Sequence, residues 1–274
     1  LMSVIVVNIT FLPSIISGVG ETFVQSSIDY SYGNLFLSPQ EGKTEINNVD
    51  LLLKKIESLP GVMSVSPRYT VGASIKYNKK TIGSTITAVN SEREKTTTKF
   101  DEAIISGRYL GKNDKKGILL GYDIAGRKGE ELADSLGGAE TGDKVEVTYS
   151  NGVKKNYTVR GVYSASSGAA NWFVLITQKE IENILNKTNK ATSVVIKTEQ
   201  GIDEAKYKDN LKSLGIKENI KTWEEKTIGA IEDILNSLNF LNIITYIVSF
   251  AIAVIIIFIV TYINIINKKR QIGI

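Results

Sequence analysis

The sequence predicts an α+β domain flanked by transmembrane α-helices, because two uncharged apolar stretches enclose a middle region of mixed strand and helix patterns. The apolar stretches lie near the two ends of the 274 residues, whereas the middle is rich in Lys and Glu. Alternating apolar runs indicate strands, and apolar residues three or four positions apart indicate helices. We expect a strand-helix part built from both flanks of the middle region, with a β-rich part inserted at about residues 90–170.

The first apolar stretch, residues 1–24, has no charged residue before Glu21. We interpret it as part of a first transmembrane helix, in which Pro13 either introduces a kink or marks where the helix leaves the bilayer. A cleaved signal peptide is the alternative interpretation. The stretch has neither a basic lead-in nor a small-x-small cleavage site with the expected flanks, which disfavours that alternative.

The middle region, residues 25–221, opens with a short predicted strand at 33–38. Asn48 is the expected N-cap of the helix that follows, and a Pro-Gly pair ends that helix. Two β-rich runs come next, with a turn at 78–80 between them. A helix, strands and turns in this order are typical of a mixed α/β domain.

Two short sequence patterns predict structure in the second half of the middle region. Asn151-Gly152 lies between two alternating runs, and this predicts a hairpin with a two-residue turn and positive φ at both turn positions. Thr177 and Glu180 are expected to form a capping box, in which each side chain accepts a hydrogen bond from the amide of the other residue. One more strand and one more helix then complete the domain.

A second capping box, Thr222 to Glu225, begins a pattern of apolar residues at helical spacing. We predict a stalk helix at 222–240 that continues without a break into a second transmembrane helix at 241–267. A helix from Thr222 to Ile266 is about 67 Å long, whereas the core of a bilayer takes about 30 Å. Several turns therefore stand outside the membrane and suit a protein that couples motion outside to events inside; a stiff spacer is the alternative.

The second transmembrane prediction rests on a charge-free run from Ile234 to Asn267. A buried helix in a soluble core seldom needs so long a run. Tyr246 and Tyr262 lie near the two ends of its most apolar part, where amphipathic rings favour the membrane interface.

Three cations follow this run directly and set the predicted topology. Since loops rich in Lys and Arg stay in the cytoplasm, we assign a topology anchor to Lys268, Lys269 and Arg270. Residues 25–225 are then extracytoplasmic, and the protein is a multi-pass protein of the cell membrane.

Composition excludes several classes of chemistry. The chain has no Cys and no His, which removes disulfides, thiolate nucleophiles, imidazole ligands and Ser-His-Asp triads. The net charge of +4 is too small and too dispersed for a nucleic-acid partner. Gly121 to Lys128 superficially resembles a phosphate-binding loop but lacks the hydroxyl residue that holds Mg²⁺. We predict no catalytic residue, no cofactor and no metal site, although a Ser-Lys dyad would leave no local signature and stays open.

Six short stretches, in order, resemble the permease family that includes the macrolide exporter MacB, the lipoprotein-release permeases LolC and LolE, and FtsX. They are LPGV (59–62), SGRYL (106–110), GILLGYDIA (117–125), TGDKVEV (141–147), VRGVY (159–163) and RQIGI (270–274). Together they extend over nearly the whole chain. Gln271 departs from the family pattern, which has Glu at that position.

The resemblance implies a non-enzymatic permease subunit of an ABC transporter with a MacB-like periplasmic core domain. Two permeases, identical or different, pair in the lipid membrane, and each engages a separate cytoplasmic ABC ATPase. By resemblance, residues 268–274 begin a cytoplasmic coupling helix, and the residues that contact the ATPase are Arg270, Gln271, Ile272, Gly273 and Ile274. ATP hydrolysis would move the extracytoplasmic domain by mechanotransmission, in the export of a drug, a peptide or a lipid-linked substrate.

The resemblance also implies further transmembrane helices beyond the two apolar stretches, and it leaves open whether an extracytoplasmic adaptor docks. The alternative function is a membrane-bound receptor or sensor with an extracytoplasmic ligand-binding domain, since that class shares the layout of two helices around an α/β domain. A membrane-anchored hydrolase is a third class, disfavoured by the missing His and Cys.

Overall fold

The computed structural model, which describes residues 18, 21–129, 134–165 and 168–271, divides the chain into two units. One unit is Phe23–Thr227, and the other combines Leu1–Thr22 with Ile228–Ile274. The first unit contains both strands and helices, which confirms the mixed α/β class that the sequence predicts.

Strands make up most of the regular structure in Phe23–Thr227. They are β1 (Leu35–Ser38), β2 (Ile46–Asn47), β3 (Val62–Tyr77), β4 (Lys80–Val89), β5 (Ile104–Gly107), β6 (Gly117–Gly121), β7 (Lys144–Tyr149), β8 (Lys154–Tyr163), β9 (Val174–Thr177), β10 (Lys190–Ala191), β11 (Ser193–Thr198) and β12 (Asn219–Thr222).

The α-helices connect these strands. They are α1 (Val49–Glu57), α2 (Ser91–Thr97), α3 (Tyr122–Ala125), α4 (Gln178–Leu185), α5 (Glu204–Ser213) and α6 (Trp223–Gln271). A π-helical turn, Ser27–Tyr32, precedes β1, and a 3₁₀ turn, Gly168–Trp172, precedes β9.

One large sheet runs through the domain in the order β12-β1-β11-β3-β4-β9-β6-β8-β5, and β7 pairs with both β3 and β8. Strand β3 is the longest at 16 residues. It lies between β11 and β4 and so connects the two sides of the sheet. Its first half, Val62 to Arg68, pairs with β11, whereas its second half, Arg68 to Tyr77, pairs with β4. A small separate sheet consists of β2 and β10.

The buried apolar residues form three clusters. The first lies in the β-rich part together with the adjoining strands β3 and β4, and includes Ile75, Ile86, Ile118, Val147 and Tyr157. The second lies between the sheet and helices α1 and α5, and includes Leu35, Leu53, Val194, Ile196 and Leu211. The third is mostly aromatic and includes Tyr30, Phe100, Tyr109 and Tyr163. Because separate clusters lie along one sheet, the strand-helix part and the β-rich part each bury apolar side chains of their own.

The predicted hairpin at Asn151-Gly152 is confirmed as β7 and β8, but its predicted turn type is wrong. Only Gly152 has a positive φ, of 82°, and the amide of Tyr149 donates to the carbonyl of Val153 across the loop. A three-residue loop with a left-handed glycine gives this pattern. The Oδ1 of Asn151 accepts a hydrogen bond from the amide of Val153 and stabilises the loop.

Two predicted helix caps are wrong. Asn48 has a left-handed backbone (φ 52°) and its side chain makes no cap; Asn189 caps α1 instead, because its Oδ1 accepts from the amide of Asp50 at 2.8 Å. Thr177 also makes no cap, because its hydroxyl donates to the carbonyl of Asp114. In both places a residue distant in sequence supplies or takes the hydrogen bond, so local pattern could not find it.

The capping box at Thr222 and Glu225 is confirmed. The amide of Thr222 donates to the Glu225 carboxylate at 3.1 Å, and the amide of Glu225 donates to the Thr222 hydroxyl at 3.2 Å. Helix α6 follows and continues from Trp223 to Gln271.

Helix α6 contains the one candidate membrane span found among the described residues. The span is Ile243–Lys268, with a mean hydropathy of 3.1. Length and composition are compatible with a crossing of the membrane. The first predicted transmembrane helix, at residues 1–24, falls almost wholly outside the described residues; residues 21–26 are helical.

Candidate functional site

The candidate functional site is the place where the two ends of the domain attach to the sheet, which we name the flank junction. Its N-terminal flank is Ser27–Asn34 and its C-terminal flank is Asn219–Thr227. The N-terminal flank leads into β1, and the C-terminal flank contains β12. These two strands are antiparallel neighbours, with Leu35 as the register partner of Thr222. The chain therefore begins and ends the domain side by side.

Arg68 of β3 holds the N-terminal flank through main-chain oxygens. Its Nη1 donates to the carbonyl of Ser31 at 2.6 Å, and its Nη2 donates to the carbonyl of Tyr30 at 2.8 Å. Both carbonyls belong to the π-helical turn, Ser27–Tyr32, whose hydrogen-bond pattern is rare and often marks a functional position. A guanidinium fork suits this role because its donors have fixed directions.

Glu94 of α2 balances the charge of Arg68. Its Oε1 accepts from Arg68 Nη2 at 2.6 Å and from Arg68 Nε at 3.1 Å, and Ser66 and Thr98 donate to the same carboxylate. The side chain of Glu94 is fully buried and that of Arg68 is only 7% exposed. Removal of either partner from such a pair leaves a buried charge unpaired, which typically costs about 3–5 kcal/mol.

Aromatic rings surround this ion pair. The Phe100 ring packs edge-on against Tyr30 at 5.3 Å and against Tyr163 at 5.0 Å, measured between ring centroids. The Arg68 guanidinium lies 5.9 Å from the Phe100 centroid. Burial raises the pKa of Tyr163 well above its usual value, so the ring keeps its proton. The N-terminal flank is thus fixed by apolar packing as well as by hydrogen bonds.

A second ion pair ties the same flank to the end of α2. Lys99 Nζ lies 2.9 Å from Asp29 Oδ2, and the Lys99 amide donates to the Asp29 carbonyl at 3.0 Å. The hydrogen bond with Asp29 raises the pKa of Lys99, which keeps the ammonium charged.

Gly33 is required where the π-helical turn meets β1. Its φ of 61° and ψ of −160° form a combination that side-chain-bearing residues rarely adopt. A Cβ at this position would lie 2.5 Å from the carbonyl oxygen of Ile196 and 2.7 Å from a Val195 methyl group. The backbone of the flank therefore approaches β11 more closely than any other residue type allows.

Asn34 connects the two flanks. Its carbonyl accepts from the amide of Trp223, the first residue of α6, at 3.0 Å. Its side-chain Oδ1 accepts from the amide of Thr198, and its Nδ2 donates to Glu204 at 3.1 Å. One residue thus links the N-terminal flank, the start of α6, strand β11 and helix α5.

Lys226 gives a second direct contact between the flanks. Its Nζ lies 4.5 Å from the Phe36 centroid and 5.3 Å from the Tyr32 centroid, which is the geometry of a cation-π contact. Burial, and then the nearby Lys221, lower the pKa of Lys226. Glu225 on the neighbouring position pairs with Lys208 of α5 at 2.7 Å.

The flank junction holds the two ends of the domain through ion pairs, hydrogen bonds and ring contacts. Arg68 pairs with Glu94 and donates to two carbonyls of the N-terminal flank, and Lys226 contacts two aromatic rings. Among the described residues, no cluster of three or more His, Cys, Asp or Glu side chains could hold a metal ion.

Comparison with known families identifies the domain. Residues 2–214 match the family described as the MacB-like periplasmic core domain. The chain belongs to this family. The matched residues include the N-terminal flank and extend to the end of α5, whereas the C-terminal flank, Asn219–Thr227, follows them.

One solved structure, with a TM-score above 0.5, supports the same fold. The periplasmic region of MacB from Actinobacillus actinomycetemcomitans matches with a TM-score of 0.51 and 12% identity, over 72% of this chain and 92% of that structure. The extracellular domain of the ABC-type transporter YknZ from Gram-positive bacteria matches with a TM-score of 0.45 and 17% identity, over 72% of this chain and 92% of that one. No curated protein matches the sequence.

The predicted coupling residues of this MacB-like protein lie at and beyond the end of α6. Lys268 is exposed on α6. Lys269, Arg270 and Gln271 belong to the same helix, and only their backbone is described. Ile272, Gly273 and Ile274 lie outside the described residues, so their predicted role stays a prediction.

Sequence reasoning missed the flank junction of the MacB-like domain. One signal was available, because Arg68 is a charged residue in the interior of a long β-type run, and buried charges are rare unless paired. Its partner Glu94 lies in another element, and no local spacing connects the two. Asn34 carries no signal of its own in the sequence.

Proposed function

We propose that the chain is a permease subunit of an ABC transporter, in which a separate cytoplasmic ATPase moves the extracytoplasmic core domain. The observation that carries the proposal is the family match over residues 2–214, followed in the chain by the candidate membrane span Ile243–Lys268. A periplasmic core domain joined to a membrane span is the layout of a membrane-anchored protein with its domain outside the cytoplasm.

The flank junction supports mechanotransmission. In this proposal, force reaches the domain through the start of α6, where the capping box and the Trp223 amide fix the helix to β12 and to Asn34. Arg68 then carries the load into β3, the strand that extends through both halves of the domain. A link made of paired charges and packed rings deforms little, so that displacement of a flank becomes displacement of the sheet.

The proposal assigns ATPase contact to residues 270–274 and topology to the cations before them. Lys268 and Lys269 need only carry charge near the headgroups, whereas Gly273 permits a close approach of backbone to the ATPase. Two permeases, identical or different, pair, and the cargo is a drug, a peptide or a lipid-linked compound. In this scheme the chain itself performs no covalent chemistry.

Topology is the first test, and the chain is well suited to it because it has no native cysteine. Single cysteines are introduced at Asn151 and at Lys269 in the full-length protein. In intact cells, a membrane-impermeant maleimide should label position 151 and leave position 269 unlabelled until the membrane is opened. Labelling of position 269 with protection of position 151 would show the inverted topology and refute the proposal.

The second test addresses the ATPase. The full-length permease and a candidate cytoplasmic ABC ATPase from the same organism are reconstituted together in lipid nanodiscs. We expect co-purification of the two subunits and a higher rate of ATP hydrolysis with the permease than without it. A permease that inserts correctly and neither binds nor stimulates an ATPase would point to the receptor class instead.

A further inference from the structure

A groove with a mixed polar and apolar lining lies on the surface of the strand-helix part, between α1 and the loop that joins α5 to β12. Its volume is about 300 Å³, which equals the lower end of the range for ligand pockets. Its lining includes Leu51, Leu52, Lys55, Gly215, Ile216 and Lys217. All of these residues lie within the single unit Phe23–Thr227.

The groove exposes apolar side chains that are not buried in the core of the domain. Leu51 is 62% exposed, although it lies on a helix whose other leucines are buried in the core. Leu214, directly before Gly215, is 40% exposed. Leu51 and Leu214 therefore give the groove exposed aliphatic surface that an apolar side chain of a partner can cover.

The rim of the groove is basic. Lys54 and Lys55 follow Leu51 by three and four positions, so they lie on the same face of α1. Lys217 lies on the opposite side of the groove, beside Glu218. Within the part of the chain that the structure describes, none of these three lysine side chains has an ion pair or a hydrogen bond. The three lysines outnumber the one carboxylate, Glu218, so the net charge around the groove is positive.

We infer that this groove docks a segment of a partner protein in which an apolar side chain is flanked by carboxylates. The apolar side chain fills the space between Leu51 and Ile216, and the carboxylates pair with Lys55 and Lys217. The inference deepens the proposed function, since it names a surface on the core domain for an extracytoplasmic partner. It does not depend on ATPase coupling, and its test does not measure ATP hydrolysis.

The test uses the full chain in nanodiscs of neutral lipid and a fluorescent peptide in which leucine alternates with aspartate. A peptide with lysine in place of aspartate is the control for charge, and empty nanodiscs are the control for lipid binding. We expect the acidic peptide to bind more tightly than the basic one. Leu51→Asp should weaken binding by on the order of tenfold, because it removes the apolar contact and adds a repelling charge.

Two further variants make the result specific. The double variant Lys55→Glu with Lys217→Glu should weaken binding of the acidic peptide by about tenfold and reverse the preference in favour of the basic peptide. Ile105→Asp changes an exposed isoleucine elsewhere in the domain, at 56% exposure, and should leave binding unchanged. The unfolding temperature of each variant should equal that of the wild type, because the altered side chains are exposed.

Three outcomes would overturn the inference. The first is equal binding of the acidic and basic peptides, and the second is binding that Leu51→Asp and Ile105→Asp weaken alike. The third is a groove already occupied by the chain itself or by a second copy. In that case the wild type does not bind the peptide, and a photo-crosslinker at Leu51 reacts within the protein or between copies.

Discussion

The carbonyl of Asn34 accepts a hydrogen bond at 3.0 Å from the amide of Trp223, so the residue that precedes the first strand of the large sheet holds the first residue of α6. These residues are 189 positions apart in the sequence. Because the Asn34 side chain also bonds to Thr198 and Glu204, the two ends of the domain meet at one residue.

Replacement of Asn34 by alanine should lower the free energy of unfolding of the domain by about 1–3 kcal/mol, because the variant leaves the amide of Thr198 and the carboxylate of Glu204 without their partner. Thermal unfolding followed by the fluorescence of Trp172 and Trp223 measures the effect. Ser38→Ala, on the strand that Asn34 precedes, is the matched control, since the Ser38 hydroxyl makes only one long contact, of 3.5 Å. Equal unfolding temperatures for the two variants would contradict the role of Asn34.

The Arg68–Glu94 pair should show strong coupling. Arg68→Met and Glu94→Leu should each destabilise the domain by about 3–5 kcal/mol, since each leaves a buried charge alone. The double variant should lose much less than the sum of the two single losses. Urea unfolding of the four proteins provides the double-mutant cycle. Additive losses would mean that the two side chains stabilise the domain independently.

Stability between pH 4.5 and 2 should depend on Glu45. Burial raises the pKa of this carboxyl, but hydrogen bonds from Lys187, Tyr69 and Lys190 outweigh that effect and lower the pKa from 4.5 to about 2. A carboxyl with a lowered pKa in the folded state stabilises the fold above its unfolded pKa, and this contribution is lost as the pH falls towards 2.

The variant Glu45→Gln should therefore be less stable than the wild type at pH 6, by about 2 kcal/mol, with a gap that narrows as the pH falls below 4.5. Unfolding temperatures measured across this range test the prediction. Two parallel curves, with a constant gap from pH 6 to pH 2.5, would show that Glu45 does not cause the acid sensitivity.

Gly273 should matter for ATPase contact and not for insertion. Gly273→Leu places a bulky side chain where the proposal requires close backbone approach, so it should weaken co-purification of the ATPase and reduce permease-stimulated ATP hydrolysis. The control is Lys268→Arg with Lys269→Arg, which keeps the anchoring charge and should change neither. Normal stimulation in Gly273→Leu would mean that this glycine only breaks the helix after the anchor.

Much of the fold followed from local pattern, because local pattern records which face of an element is buried. Alternation predicted the β7–β8 hairpin, and the spacing of Thr222 and Glu225 predicted the start of α6. The two wrong helix caps share one cause. Asn189 caps α1 from a position more than 130 residues away, and the Thr177 hydroxyl donates to the carbonyl of Asp114 instead of capping its own helix. In both places a tertiary contact replaced the local cap.

The flank junction was beyond sequence reasoning for the same reason. Arg68, Glu94 and Asn34 lie on three different elements, and their contacts arise only when β3 pairs with β11 and α2 packs on the sheet. No spacing along the chain records that arrangement. The family resemblance, in contrast, depends on short stretches that can be recognised in the sequence in their family order. The match over residues 2–214 confirms it.

In the proposed function, ATP binding by a partner subunit moves the core domain through α6 and the flank junction. The most direct test of this movement is the distance between spin labels on two paired permeases, attached at Lys79→Cys in the exposed turn between β3 and β4. Double electron–electron resonance is recorded on the full-length permease and its ATPase in nanodiscs, with and without trapped ATP. We predict a shift of the distance distribution with ATP in the wild type and none in Gly273→Leu. An unchanged distribution in a wild-type complex that hydrolyses ATP would mean that ATP binding does not move the core domains relative to each other.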